Sequence, residues 1–119
     1  IDIIMAGGGV TQINRLIANR PKCWLSGVSL VFPLLTKAEN KVLEDTMLRN
    51  TFIENIEKPF FDLCSKFGWH RVHKGLLHSV HGFPINEPKP MSELSESQVA
   101  EVASIWRKSI YPAIEGILQ

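Results

Sequence analysis

The apolar positions change period along the chain, and each change marks an element. Residues 1–6, Ile-Asp-Ile-Ile-Met-Ala, form a short, β-branched run closed by Gly7-Gly8-Gly9. That pattern predicts a strand buried on both faces and ended by a turn. Val10, Ile13, Leu16 and Ile17 then recur at three- and four-residue spacing between Thr11, Gln12, Asn14 and Arg15. They predict an amphipathic helix over 10–19, ending near Asn19-Arg20-Pro21. Residues 23–32, small and β-branched, read as a second buried strand. Strand, glycine turn, helix and strand make a βαβ unit, whose crossover implies parallel strands.

From Pro33 the period is helical. Pro33 suits a first helical position, and Leu34, Leu35, Ala38, Val42, Leu43 and Met47 follow at helical spacing. A helix is expected over 51–67, kinked at Pro59 and ended by Gly68, and another over 69–81, closed by Gly82. Three prolines within 84–90 predict an extended segment. Ser95-Glu96-Ser97-Gln98 is a capping box opening a last helix with Val99, Val102, Ala103, Trp106 and Ile110 on its buried face. Pro112 is expected to end or bend that helix, leaving 113–119 as a short apolar tail.

Two parallel strands leave unpaired edges and uncovered faces, so further strands are expected from elsewhere. Ile1 stands where an initiator Met would, without a signal-like segment after it. The 119 residues are therefore expected to begin inside a longer polypeptide and to be the C-terminal part of a larger α/β domain.

Composition narrows the function classes. Thirteen Lys and Arg against twelve Asp and Glu leave a net charge of +1 with no like-charge run, which argues against nucleic acid and anionic membrane as partners. No apolar stretch approaches the ~20 residues of a spanning helix. Cys23 and Cys64 lie in apolar surroundings without a CxxC motif, which suits buried free thiols and a cytoplasmic location.

Candidate chemistry is sparse. Gly7-Gly8-Gly9, after a strand and before a helix, allows close backbone approach to a ligand, but it is neither GxGxxG nor a P-loop. His70, His73, His78 and His81 share one face of a predicted helix, and their spacings of three, five and three favour a solvated or interfacial face over a metal site. Lys74 beside them reads as a solvated lysine more readily than as a Schiff-base amine. Ser26 lacks a GxSxG context and reads as a packing residue. Trp24, Trp69 and Trp106 read as core or interface residues.

With these elements placed, the chain resembles the C-terminal portion of the dihydrodipicolinate synthase/N-acetylneuraminate lyase family. These are pyruvate-dependent class I aldolases and dehydratases on a TIM barrel. Ile3-Ile4-Met5-Ala6-Gly7-Gly8 is similar to the family's seventh strand, and Cys23-Trp24-Leu25-Ser26-Gly27-Val28 to its eighth. Val31-Phe32-Pro33 resembles the entry to the eighth helix. Phe67-Gly68-Trp69 through Leu77, the proline-rich segment and Leu94-Ser95-Glu96-Ser97-Gln98 are similar to the family's three-helix appendage. The resemblance implies an α/β fold: the C-terminal part of a (β/α)8 TIM barrel, its last two strands and helices at 1–48, followed by a three-helix appendage at 49–119.

It also implies a lyase or dehydratase in which a lysine imine forms with pyruvate or another 2-oxo acid. That lysine, and a proton-shuttling tyrosine, would lie on strands outside this chain, so no catalytic residue is expected here. Gly7, Gly8, Leu25 and Ser26 would border the 2-oxo acid at the barrel mouth. Gly9, Val10 and Gly27 stand where sialic acid lyases carry acidic and hydroxyl groups, which points to a less polar acceptor. No cofactor and no metal are implied. The expected partners are a 2-oxo acid, an aldehyde, the remainder of the barrel, and further copies in a dimer or tetramer. The alternative is a non-catalytic helical module for binding or assembly, completed by a partner chain.

Overall fold

The computed structural model describes residues 4–6, 12–20, 23–25 and 32–119. Two short strands, β1 (Ile4–Ala6) and β2 (Cys23–Leu25), flank helix α1 (Gln12–Asn19). The rest is helical: α2 (Pro33–Glu44), a 3₁₀ turn (Thr46–Leu48), α3 (Arg49–Phe52), a π-helical turn (Ile53–Glu57), α4 (Lys58–Phe67), α5 (Trp69–His81), α6 (Glu96–Ile105), a second π-helical turn (Trp106–Ile110) and α7 (Tyr111–Leu118).

This overturns the expected α/β barrel fragment, its last two strands and its three-helix appendage. Among the described residues the fold is helical, and β1 and β2, three residues each, pair in parallel with each other alone. The core explains the outcome. It is one hydrophobic cluster built from helix stripes, with Ile13 of α1, Leu35, Ala38 and Val42 of α2, Phe60 of α4, Leu76 of α5, Trp106, and Ile114 and Ile117 of α7. Of the run expected as one strand over 23–32, residues 26–31 lie outside the described residues. Its described strand is Cys23–Leu25, and Phe32 is the buried residue preceding α2, its ring 4.2 Å from that of Trp106 between centroids and tilted by 38°. Cys23, expected to be buried, is exposed, whereas Cys64 is buried.

Local signals place the helix ends as expected. Pro33 opens α2, where its missing N–H would have had no partner in any case. Gly68 (φ +94°) and Gly82 (φ +73°) bound α5 in conformations that side chains disfavour. Ser95 and Gln98 close both hydrogen bonds of the capping box. Met47, placed on the α2 stripe by spacing, lies beyond the helix end and is 89% exposed.

Pro112 does not leave an apolar tail, because the helix resumes through it as α7. Proline lacks an N–H and crowds the carbonyl four residues back. A π-helical turn precedes each proline, with Lys58 N–H reaching the Ile53 carbonyl and Tyr111 N–H reaching the Trp106 carbonyl. The widened turn shifts the hydrogen-bond ladder just before the residue that cannot join it.

The extended segment 83–94 is held along α5. His78 Nδ1 lies 2.7 Å from the Phe83 carbonyl, Lys74 donates to the Asn86 carbonyl and pairs with Glu87 at 3.3 Å, and Arg71 donates to Ser92. Leu94 is buried over Gly75, where an added Cβ would come within 3.2 Å of its Cδ1. Lys74 thus ties a segment down instead of projecting into solvent.

Candidate functional site

Parallel pairing aligns Ile4 with Cys23, Met5 with Trp24 and Ala6 with Leu25. The last residues of both strands therefore stand side by side. Gly7 is bonded to Ala6, and Ser26 to Leu25, so the backbone continues from the same end of the pair at both places. Of the four expected binding residues, Leu25 lies in β2, while Gly7, Gly8 and Ser26 fall outside the described residues. The carboxyl ends of adjacent parallel strands are where open α/β sheets bind ligands.

Helix α1 follows β1 in the chain and packs on α2. Its second residue, Ile13, donates its backbone N–H to Glu57 Oε2 at 3.1 Å, a contact spanning 44 residues of sequence. The first helical N–H groups have no intrahelical acceptor, and the positive end of the helix dipole favours a carboxylate there. Glu57 is 4% exposed and Glu39 is 5% exposed. They share a cavity of about 10 Å³ with Gln12, Leu35, Phe52, Ile56, Phe60 and Phe61. A void of that size admits a single water at most. Burial, and secondarily the Glu57 charge, push the Glu39 carboxyl up to about 7. Its Oε2 is buried without a hydrogen-bond partner.

This acid pair was missed from sequence, although a signal exists. Glu39 stands four residues after Leu35 and next to Ala38, and Glu57 stands four after Ile53 and next to Ile56. Both acids occupy positions in apolar helix stripes, where a charge has no ordinary place.

The histidine face divides. His73 is buried, with Nδ1 2.7 Å from the Trp69 carbonyl and its ring against Phe60 and Trp69. His70, His78 and His81 are exposed. Burial lowers the pKa of His73, the Trp69 carbonyl opposes that shift, and the neighbouring His70 adds to it. The expectation of one solvated or interfacial imidazole row is therefore corrected at His73, whose position falls on the buried stripe with Val72 and Leu76. Among the described residues no three His, Cys, Asp or Glu side chains are grouped to hold a metal. Burial drives the Cys64 thiol up to about 12, which leaves it a packing residue and not a nucleophile.

An apolar groove of about 240 Å³ opens where α2, the end of α5 and α7 meet, lined by Phe32, Leu34, Val80, His81, Trp106 and Tyr111, among others. Leu34, Val80 and Tyr111 are 37%, 45% and 36% exposed. No helix among the described residues is long and apolar enough to cross a membrane. No protein-family model, no curated protein and no solved structure matches this chain.

Proposed function

We propose that this chain is a segment of a lysine-imine-forming lyase or dehydratase, similar to the dihydrodipicolinate synthase/N-acetylneuraminate lyase family, acting on pyruvate or another 2-oxo acid. The observation that carries the reading is the pairing of Ala6 with Leu25, since it joins the Gly7-Gly8 and Ser26 positions to one end of a parallel pair. In this reading Leu25 borders the substrate, Gly7 and Gly8 bring no side-chain bulk, and Ser26 brings a hydroxyl.

The lysine belongs to the remainder of the chain. Its neutral amine adds to the C2 carbonyl, water leaves, and the resulting iminium draws electrons from the neighbouring carbon. Loss of a C3 proton gives an enamine, which attacks an aldehyde; the reverse sequence cleaves the carbon–carbon bond. The segment's part is to border the 2-oxo acid, and the reading includes no cofactor. A dimer or tetramer in the cytoplasm, where Cys23 and Cys64 stay reduced, completes the proposal.

Borohydride reduction of the whole protein with pyruvate tests it. The expected result is a reduced pyruvyl adduct on a lysine outside these 119 residues, and the absence of any adduct would overturn the reading. The groove at Phe32, Trp106 and Tyr111 favours a second reading, a helical assembly module without chemistry of its own. It predicts no adduct, together with concentration-dependent association that Val80→Glu abolishes.

A further inference from the structure

The segment 83–94 is anchored unevenly along α5. Glu87, its side chain 2% exposed, pairs with Lys74, and Leu94 is buried over Gly75. Residues 88–93, between these anchors, are all exposed and lie outside any helix or strand. Among the described residues their one side-chain tie to α5 is Arg71 Nη1, which donates to Ser92 Oγ at 3.3 Å. Arg71 has no carboxylate partner among the described residues, and α5 carries no acidic residue in its first turn. A guanidinium offers five donors in a rigid fork that matches an anion with two oxygens, yet here it meets a neutral hydroxyl. We propose that Ser92 is a phosphorylation site and that Arg71 receives the phosphate, so that modification fastens residues 88–93 onto the start of α5.

The receiving group is already in position. The Arg71 side chain folds back over Gly68, where an added Cβ would come within 3.3 Å of its Nε, so the guanidinium sits at the N-terminal end of α5. An exposed hydroxyl on a non-helical stretch, anchored on both sides, enters a protein kinase without unfolding a helix. In the transfer, Ser92 Oγ bonds to the γ-phosphorus of a nucleoside triphosphate and the bond from that phosphorus to its bridging oxygen breaks. The nucleoside diphosphate leaves with the electron pair, and the hydroxyl proton passes to the kinase's base. The product carries a charge of about −1.5 to −2 at pH 7 and three acceptor oxygens, within reach of the fork. Two parallel charge-assisted bonds then replace one bond to a hydroxyl. Glu93, next in the chain, opposes the added charge, and Arg71 offsets it.

The full chain carrying phosphoserine at position 92, compared with the unmodified chain, tests the clamp. Hydrogen-exchange protection over 91–94 is expected to rise about tenfold or more. Phosphorus NMR is expected to place the second phosphate ionisation below its ordinary value of about 6, because a paired guanidinium favours the dianion. Arg71→Gln in the phosphorylated chain is expected to reverse both effects. Exchange that does not change on phosphorylation overturns the proposal, as does a lowered ionisation that survives Arg71→Gln. If Arg71→Gln does not fold, the exchange comparison in the wild-type background decides alone. Tandem mass spectrometry of the chain isolated from the cells that make it tests the acceptor: phosphate on Ser92 is expected, and a Ser92 without phosphate overturns the assignment. Neither residue takes part in imine formation, so the adduct experiment and this one fail separately.

Discussion

Pro59 and Pro112 each stand two residues beyond the last residue of a π-helical turn, Glu57 in one case and Ile110 in the other. The same local problem is met in the same way in two different helices. In each, buried residues lie on both sides of the proline: Ile56 and Phe60 around Pro59, Ile110 and Ile114 around Pro112. The core thus holds the helix register on either side, and the wide turn absorbs the missing donor.

A consequence concerns Pro112→Ala. Intrinsic propensity alone favours alanine by about 3 kcal/mol inside a helix. Regaining it requires the turn at Trp106–Ile110 to tighten, which would rotate Ile114 and Ile117 off the core face. The expected change in unfolding free energy is below about 1 kcal/mol, measured by urea titration. A gain near the full propensity difference would show that packing does not hold the register.

Stability should fall as pH rises through the window set by Glu39. Its carboxyl is raised in the folded state from 4.5 to about 7, so between those values the folded chain binds more protons than the unfolded one. The loss is fully developed above the upper value and amounts to about 3 kcal/mol at most. Urea midpoints at pH 5, 6, 7 and 8 measure it. In Glu39→Gln this part of the profile should be flat.

His73 acts in the opposite direction. Buried neutral, with a lowered pKa, it is protonated more readily in the unfolded chain, so stability should fall as pH drops below the ordinary histidine range. His73→Phe keeps a ring against Phe60 and Trp69 and removes that acid limb. Thermal unfolding at pH 4.5–6.5 compares the two.

Two glycines separate backbone strain from helix propensity. Gly82 has φ +73° and Gly116 lies inside α7, and neither has a neighbour within 4 Å of an added Cβ. Gly82→Ala is expected to destabilise by about 1 kcal/mol or somewhat more, because a Cβ is disfavoured in the left-handed region. Gly116→Ala is expected to stabilise by up to about 1 kcal/mol. Parallel thermal melts read the sign of each.

Phe60 lies at the centre of the aromatic cluster, with Phe61, Trp69, His73 and Trp106 all within ring-contact range, and it is 1% exposed. Phe60→Ala should cost about 3–5 kcal/mol. It also removes one wall of the Glu39 cavity, so the urea midpoint should lose part of its pH dependence together with its magnitude.

Some of this was decided within a few residues of sequence. Pro33, Gly68, Gly82 and the Ser95–Gln98 box set helix ends because each acts on backbone groups one turn away, and the buried stripes of α1 and α2 follow from helical spacing. The parallel pairing of β1 and β2 was likewise legible, since a helix joins them. The architecture was not. An apolar β-branched run does not reveal which partners will cover it, and here helices form the core among the described residues. Only the tertiary structure decided that Glu57 reaches Ile13 across 44 residues, that Glu39 shares its cavity, that His73 turns inward, and that the helix continues past Pro112. Each of those outcomes depends on which surfaces meet, and the free energy of burying a carboxyl, an imidazole or a widened turn is set by neighbours distant in the chain.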